Sequence, residues 1–135
     1  MILLDTSFLI AYFNQKDANH QKAMNSVQDI VGKKFGTPYM TDYIFGETVT
    51  VALIKMKDLD RATRIGDYML KALQTIRIEE DVFLAAWKIF HSQKGTRLGF
   101  TDCTTIATMK YHGINNIATF DEDFTKISGI NCIGL

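Results

Sequence analysis

Four carboxylates in this 135-residue chain stand where a charge is costly. Asp5 follows Ile2-Leu3-Leu4, and Glu47 lies within Ile44-Phe45-Gly46-Glu47-Thr48-Val49. Asp102 follows Gly99-Phe100-Thr101, and Asp121 follows Ile117-Ala118-Thr119-Phe120. A carboxylate embedded in apolar sequence needs a partner to offset its desolvation, yet no lysine or arginine adjoins any of these. Gathered in one place they would repel one another unless a divalent cation neutralised them. A set of carboxylate oxygens suits Mg²⁺ or Mn²⁺ rather than zinc or copper. The chemistry that calls for such a site is phosphoryl transfer, in which a metal polarises the phosphate and lowers the pKa of a bound water. Neither a GxSxG elbow nor a GxxxxGK[ST] loop is present, so no covalent nucleophile or nucleotide cradle competes with that reading.

Taken singly, each acid also has an ordinary role. Asp102 can cap a helix, Glu47 can be a solvated helix residue, and Asp5 can end a strand. Asp121 with Glu122 and Asp123 can form a turn. It is the ordered set along one chain that points to a site. Thr6, Ser7, Thr101 and Thr119 flank the acids. Their hydroxyls can fix carboxylate rotamers or hold a metal-bound water, or they can cap helices and strand edges.

The elements that must position these residues follow from periodicity. Ile2-Leu3-Leu4 reads as a strand buried on both faces, followed by a short helix from Thr6 or Ser7 to Asn14. Asp17 can cap a second helix, with His20, Ala23, Met24, Val27 and Val31 on one stripe and Gly32 closing it. A strand is expected around Gly36–Thr41, then a helix from Asp42 or Tyr43 to about Lys57 with Phe45, Val49, Ala52 and Met56 inward. Another helix starts at Asp58 or Asp60 and carries Ala62, Ile65, Met69 and Leu73 at helical spacing. Thr75–Ile78 reads as a third strand. A helix over Asp81–Gln93 is expected to bury Phe83, Ala86, Trp87 and Phe90. Gly95–Phe100 reads as a loop, and Asp102 opens a helix that Gly113 ends. Asn116–Phe120 and Asn131–Leu135 are the last two strands.

Strands alternating with helices imply an α/β three-layer sandwich around a mostly parallel sheet. In such folds ligands bind beyond the carboxyl ends of the strands, near the point where strand order reverses. Asp5 and Asp121 both directly follow strands. Residues 1–135 suit a single domain, since no repeat, linker or low-complexity stretch divides them. The apolar N-terminus lacks a basic leader, and Asp5 interrupts it before a membrane-length run forms, so a cytoplasmic protein is expected. Cys103 and Cys132 form no CxxC pair and read as buried thiols. The scattered His20, His91 and His112 argue against zinc. Lys plus Arg and Asp plus Glu both number 15. That lacks the basic excess usual in a nucleic-acid binder, although zero net charge can conceal a polarised surface.

These segments resemble the PIN-domain family, most closely its small prokaryotic VapC-type toxins. The resemblance rests on Leu4-Asp5-Thr6-Ser7-Phe8-Leu9, the helix carrying Glu47, Phe100-Thr101-Asp102-Cys103-Thr104-Thr105-Ile106-Ala107, and Ile117-Ala118-Thr119-Phe120-Asp121-Glu122-Asp123-Phe124. Asp17-Ala18-Asn19-His20 with Ala23 is similar to the family's second-helix pattern. The match spans essentially the whole chain in order. It implies a five-stranded parallel sheet flanked by helices and divalent-metal-dependent cleavage of single-stranded RNA. The implied acidic set is Asp5, Glu47, Asp102 and Asp121, with Asp123 able to share or replace the role of Asp121. It further implies a homodimer held inactive by a small antitoxin.

Candidate RNA-phosphate contacts are Lys33, Lys34, Arg61, Arg64, Lys94 and Arg97; Ile54, Tyr68 and Met69 are candidates for a dimer face. Two alternatives compete with the nuclease. An aspartyl-phosphate phosphotransferase would use Asp5 as acceptor, but Ser7 stands where the phosphatase pattern wants a second aspartate. A receiver domain would want its acceptor aspartate after a mid-chain strand, whereas Thr75-Ile76-Arg77-Ile78 is followed by Glu79-Glu80. A PIN-like module that binds RNA or a partner without cutting would be expected to show a degraded site, whereas all four acids are present.

Overall fold

The computed structural model describes residues 1–135. In chain order the elements are β1 (Ile2–Leu4), α1 (Thr6–Phe13), α2 (His20–Val31), β2 (Pro38–Thr41), α3 (Asp42–Met56) and α4 (Leu59–Ala72). They continue with β3 (Gln74–Ile76), α5 (Glu80–His91), α6 (Phe100–His112), β4 (Asn116–Ala118), a 3₁₀ turn over Glu122–Lys126 and β5 (Asn131–Ile133). All five strands are parallel, in the order β3-β2-β1-β4-β5. The sheet is therefore the middle layer of the expected α/β sandwich.

Successive side chains of a strand point to opposite faces, and β1 uses this to join two cores. Ile2 and Leu4 pack with Phe8, Ile44 and Met69 beneath α1–α4, while Leu3 packs with Ile106, Ile117 and Phe124 on the α5–α6 side. The start of α3 is capped by Thr41 Oγ1, which accepts the Ile44 N–H at 3.0 Å. Asp58 Oδ1 does the same for Arg61 N–H at the start of α4. Gly66 lets α4 approach α3 closely, because a Cβ there would stand 3.2 Å from Val49 Cγ1.

Four local expectations are corrected. First, α6 begins at Phe100, and Asp102 is its third residue rather than its cap. Second, Asn19 and not Asp17 flanks the start of α2; Asp17 Oδ1 instead accepts the Asn19 backbone N–H at 2.8 Å. Along the same helix Met24 and Val31 are exposed.

Third, α5 turns Phe83 (40% exposed) and Trp87 (52%) toward solvent, with Phe90 beside them, and buries Val82 and Ala86. Residues 82, 86 and 89 form one apolar stripe and 83, 87 and 90 the next, so periodicity marks both. Small Ala86 allows α6 to close on the first stripe. Fourth, Met69 is fully buried in the core and has no surface to offer a partner, whereas Ile54 and Tyr68 are exposed.

Candidate metal-binding active site

Strand order reverses between β1 and β4, because the chain places β2 and β3 on one side of β1 and β4 and β5 on the other. Asp5 leaves the end of β1, and its N–H bonds to Ala118 O at 2.9 Å on β4. Two hydroxyls converge on Asp5 Oδ2: Ser7 Oγ donates at 2.7 Å and Thr119 Oγ1 at 2.8 Å. Each hydroxyl is itself held by a backbone donor, the Phe120 N–H on Ser7 Oγ and the Asp121 N–H on Thr119 Oγ1, both at 3.0 Å. The two relays fix the carboxyl group of Asp5 and leave Oδ1 unengaged by any side chain. Burial pushes the Asp5 carboxyl above its ordinary value, and the two hydroxyls pull it part of the way back.

Asp102 reaches back from the first turn of α6, its Oδ2 accepting the Gly99 N–H at 2.9 Å. Its pKa is raised to about 7, first by burial and then by the negative charge of Asp5, with smaller contributions from Glu47 and Asp121. Asp121 opens the connection from β4 to β5, and its Oδ1 accepts the Asp123 N–H at 2.9 Å, closing the turn into the 3₁₀ segment. Glu47 projects from the second turn of α3. All four line one cavity of about 340 Å³.

Thr6 and Ser7 also line that cavity, while Thr119 lies behind Asp5. Thr101 does not line the cavity; its carbonyl accepts the Thr104 and Thr105 hydroxyls within α6. Asp123 is likewise diverted. It bonds the Lys126 ammonium at 2.7 Å and the Arg97 N–H at 3.0 Å outside the cavity, and those partners hold its carboxyl below the ordinary value. Of the two, Asp121 is the one that lines the cavity.

None of Lys33, Lys34, Arg61, Arg64, Lys94 or Arg97 lines the cavity. Lys34 and Arg64 are paired at the surface with Asp29 and Asp60. Asp17, Asn19 and Lys55 are cavity residues that sequence reasoning missed. For Lys55 a signal existed, since residues 47, 51 and 55 recur on one helical stripe.

The donor set fits Mg²⁺ or Mn²⁺ in kind: carboxylate oxygens line the site, and the Thr6 hydroxyl in its wall is buried without a hydrogen-bond partner. No three of the acids close around a common point in the structure, in keeping with their mutual repulsion.

Residues 2–130 match the family described as PIN domain. The chain belongs to the PIN-domain family. This PIN domain is 29% identical over 128 residues to the 23S rRNA-specific endonuclease VapC20 of Mycobacterium tuberculosis, covering 93% of this chain and 92% of that protein. It superposes on the crystal structure of Mycobacterium tuberculosis VapC20, a sarcin-ricin loop cleaving toxin, with a TM-score of 0.82 and 25% identity over 93% of this chain and 94% of the other. A fold match also links it to VapBC2 of Rickettsia felis bound to a DNA fragment from its promoter, with a TM-score of 0.73 and 17% identity over 98% and 97% of the two chains.

Proposed function

We propose that this PIN domain is an endoribonuclease that cuts single-stranded RNA with the help of Mg²⁺ or Mn²⁺, and that it is the toxin of a toxin–antitoxin pair. The observation that carries the reading is the meeting of Asp5, Glu47, Asp102 and Asp121 on one cavity where strand order reverses. These four residues would hold the metal. When bound, it supplies positive charge to polarise the phosphodiester and to make water a stronger nucleophile.

The chain's own part is preorganisation. Ser7 and Thr119 hold Asp5 in one rotamer, the Gly99 N–H orients Asp102, and the connection from β4 to β5 presents Asp121. The 23S rRNA specificity belongs to the VapC20 relative, and it supports RNA as the substrate class here. The test is cleavage of a labelled RNA pool with Mg²⁺ or Mn²⁺ and its loss in EDTA. Full cleavage in EDTA would overturn the mechanism, and binding without cleavage would make the protein a recognition module.

The antitoxin reading is supported by solved neighbours that include a toxin–antitoxin complex from Klebsiella pneumoniae. A homodimer is supported by the exposed apolar residues of α5, Phe83, Leu84, Trp87 and Phe90, which form the kind of patch that marks association. A strictly monomeric mass by light scattering at micromolar concentration, without antitoxin, would overturn the dimer. A cytoplasmic setting is supported by two cysteines that are both free. No helix is long and apolar enough to cross a membrane.

A further inference from the structure

The cavity that gathers the acids continues past them. It is walled on one side by Thr6, Ser7 and Ile10 of α1 and on the other by Glu47, Val51 and Lys55 of α3. Both helices set out from the carboxyl ends of adjacent parallel strands, β1 and β2, and pack against each other. They therefore frame a groove leading away from the metal-binding end. Glu47, Val51 and Lys55 occupy successive turns, so Lys55 stands about 12 Å further along the helix axis than Glu47. Ile10 is buried and Val51 half-buried, which gives the stretch between them an apolar floor.

Lys55 is the one basic residue lining this cavity. It is exposed, and none of the ion pairs in the structure engages it; those join Lys34 to Asp29, Arg64 to Asp60, Arg77 to Asp42 and Lys126 to Asp123. Asp17, in the loop between α1 and α2, also lines the cavity, and its Oδ1 accepts the Asn19 N–H. A cation set apart from an acidic centre by an apolar stretch matches a nucleic-acid strand. One phosphate would lie at the acids, bases or riboses would cover the floor, and a phosphate further along the strand would meet the ammonium.

We propose that the far end of this groove is a second subsite, in which Lys55 binds a phosphate of the same RNA strand flanking the scissile one. The proposal rests on the ribonuclease reading above. A competing role for Lys55 is that of a counterion that merely offsets the acids.

The experiment compares wild type, Lys55→Met, Lys55→Arg and, as a charge control, Lys71→Met on α4, using a short labelled single-stranded RNA with Mn²⁺. Lys55→Met is expected to raise KM about tenfold while kcat changes little. The dependence of log KM on log salt should fall by about 0.7, the loss of one phosphate contact on a single strand. Lys55→Arg should recover most of the loss, and Lys71→Met should match wild type.

The same RNA is titrated by fluorescence anisotropy into Asp102→Asn and into Asp102→Asn/Lys55→Met. The expected result is about tenfold weaker binding in the double variant. If wild type does not cut but binding still depends on Lys55, the nuclease reading fails and the subsite stands. If wild type cuts and Lys55→Met leaves KM, salt slope and binding unchanged, the subsite is wrong and the nuclease reading survives. A Lys55→Met protein that melts lower in EDTA with KM unchanged would identify Lys55 as the counterion and overturn the proposal.

Discussion

Thr119 Oγ1 donates to Asp5 Oδ2 at 2.8 Å across 114 residues of chain, and the same oxygen accepts the Asp121 N–H at 3.0 Å. One buried hydroxyl thus ties the acid after β1 to the acid after β4. Thr119 is fully buried and Asp5 nearly so, so losing this hydroxyl leaves the Asp5 carboxyl one donor short.

Thr119→Val keeps the shape and removes the oxygen. It should cost about 1–3 kcal/mol of stability, because a buried carboxyl group loses a donor and a backbone N–H loses its acceptor. Cleavage should fall about 10–100-fold, the usual consequence of losing a group that orients a metal ligand. Thr119→Ser should keep most of the activity. Urea melts and initial rates check both; a Thr119→Val protein as active as wild type would remove the hydroxyl from the site.

Asp102→Asn can still accept the Gly99 N–H through its side-chain oxygen while removing one charge from the cluster. Cleavage should be abolished, yet in EDTA the variant should melt level with wild type or above it. On adding Mn²⁺ wild type should rise by mass action and the variant should rise less. If Asp102→Asn melts well below wild type in EDTA and gains as much from Mn²⁺, Asp102 is only a helix-start residue.

The Asp102 carboxyl titrates near 7 in the folded chain against 3.8 when free, mainly through burial and the charge of Asp5, and Asp5 is raised as well. Between those values the folded state retains protons that the unfolded state has released. Stability therefore falls as pH rises through the window, and the Asp102 contribution levels off above about pH 7. Metal-free protein should melt several degrees higher near about pH 5 than near about pH 8, and Asp102→Asn should flatten that slope. Differential scanning calorimetry in EDTA decides it, and a wild-type melting temperature that holds steady or climbs over this range would contradict the charge assignment.

Gly134 follows β5 with φ +107°, and a Cβ there would stand 3.2 Å from both Thr119 O and Phe120 Cε1. Gly134→Ala should destabilise the fold by about 1–3 kcal/mol through a backbone conformation that L residues rarely adopt. It should also slow cleavage, since Thr119 N–H bonds to Ile133 O at 3.0 Å and any shift passes to Asp5. An unchanged urea midpoint would show that the chain end yields freely.

The alternation of strands and helices was legible in the sequence because local periodicity records it: Ile2-Leu3-Leu4, the Asp58 cap and the Gly113 stop each carry their own instruction within a few residues. So was the embedding of Asp5, Glu47, Asp102 and Asp121 in apolar segments. The tertiary structure decided what local patterns cannot encode, namely which elements become neighbours. The order β3-β2-β1-β4-β5 places β4 beside β1, and only then can Thr119 meet Asp5. Packing chose between the two apolar stripes of α5, put Met69 inside, and drew Asp123 to Lys126 rather than to the acids. It also aligned α1 with α3 so that Lys55, eight residues from Glu47 in sequence, lines the same cavity. Hydrophobic patterning specifies that a face is covered and says little about what covers it. A site assembled across strand ends depends on that second fact.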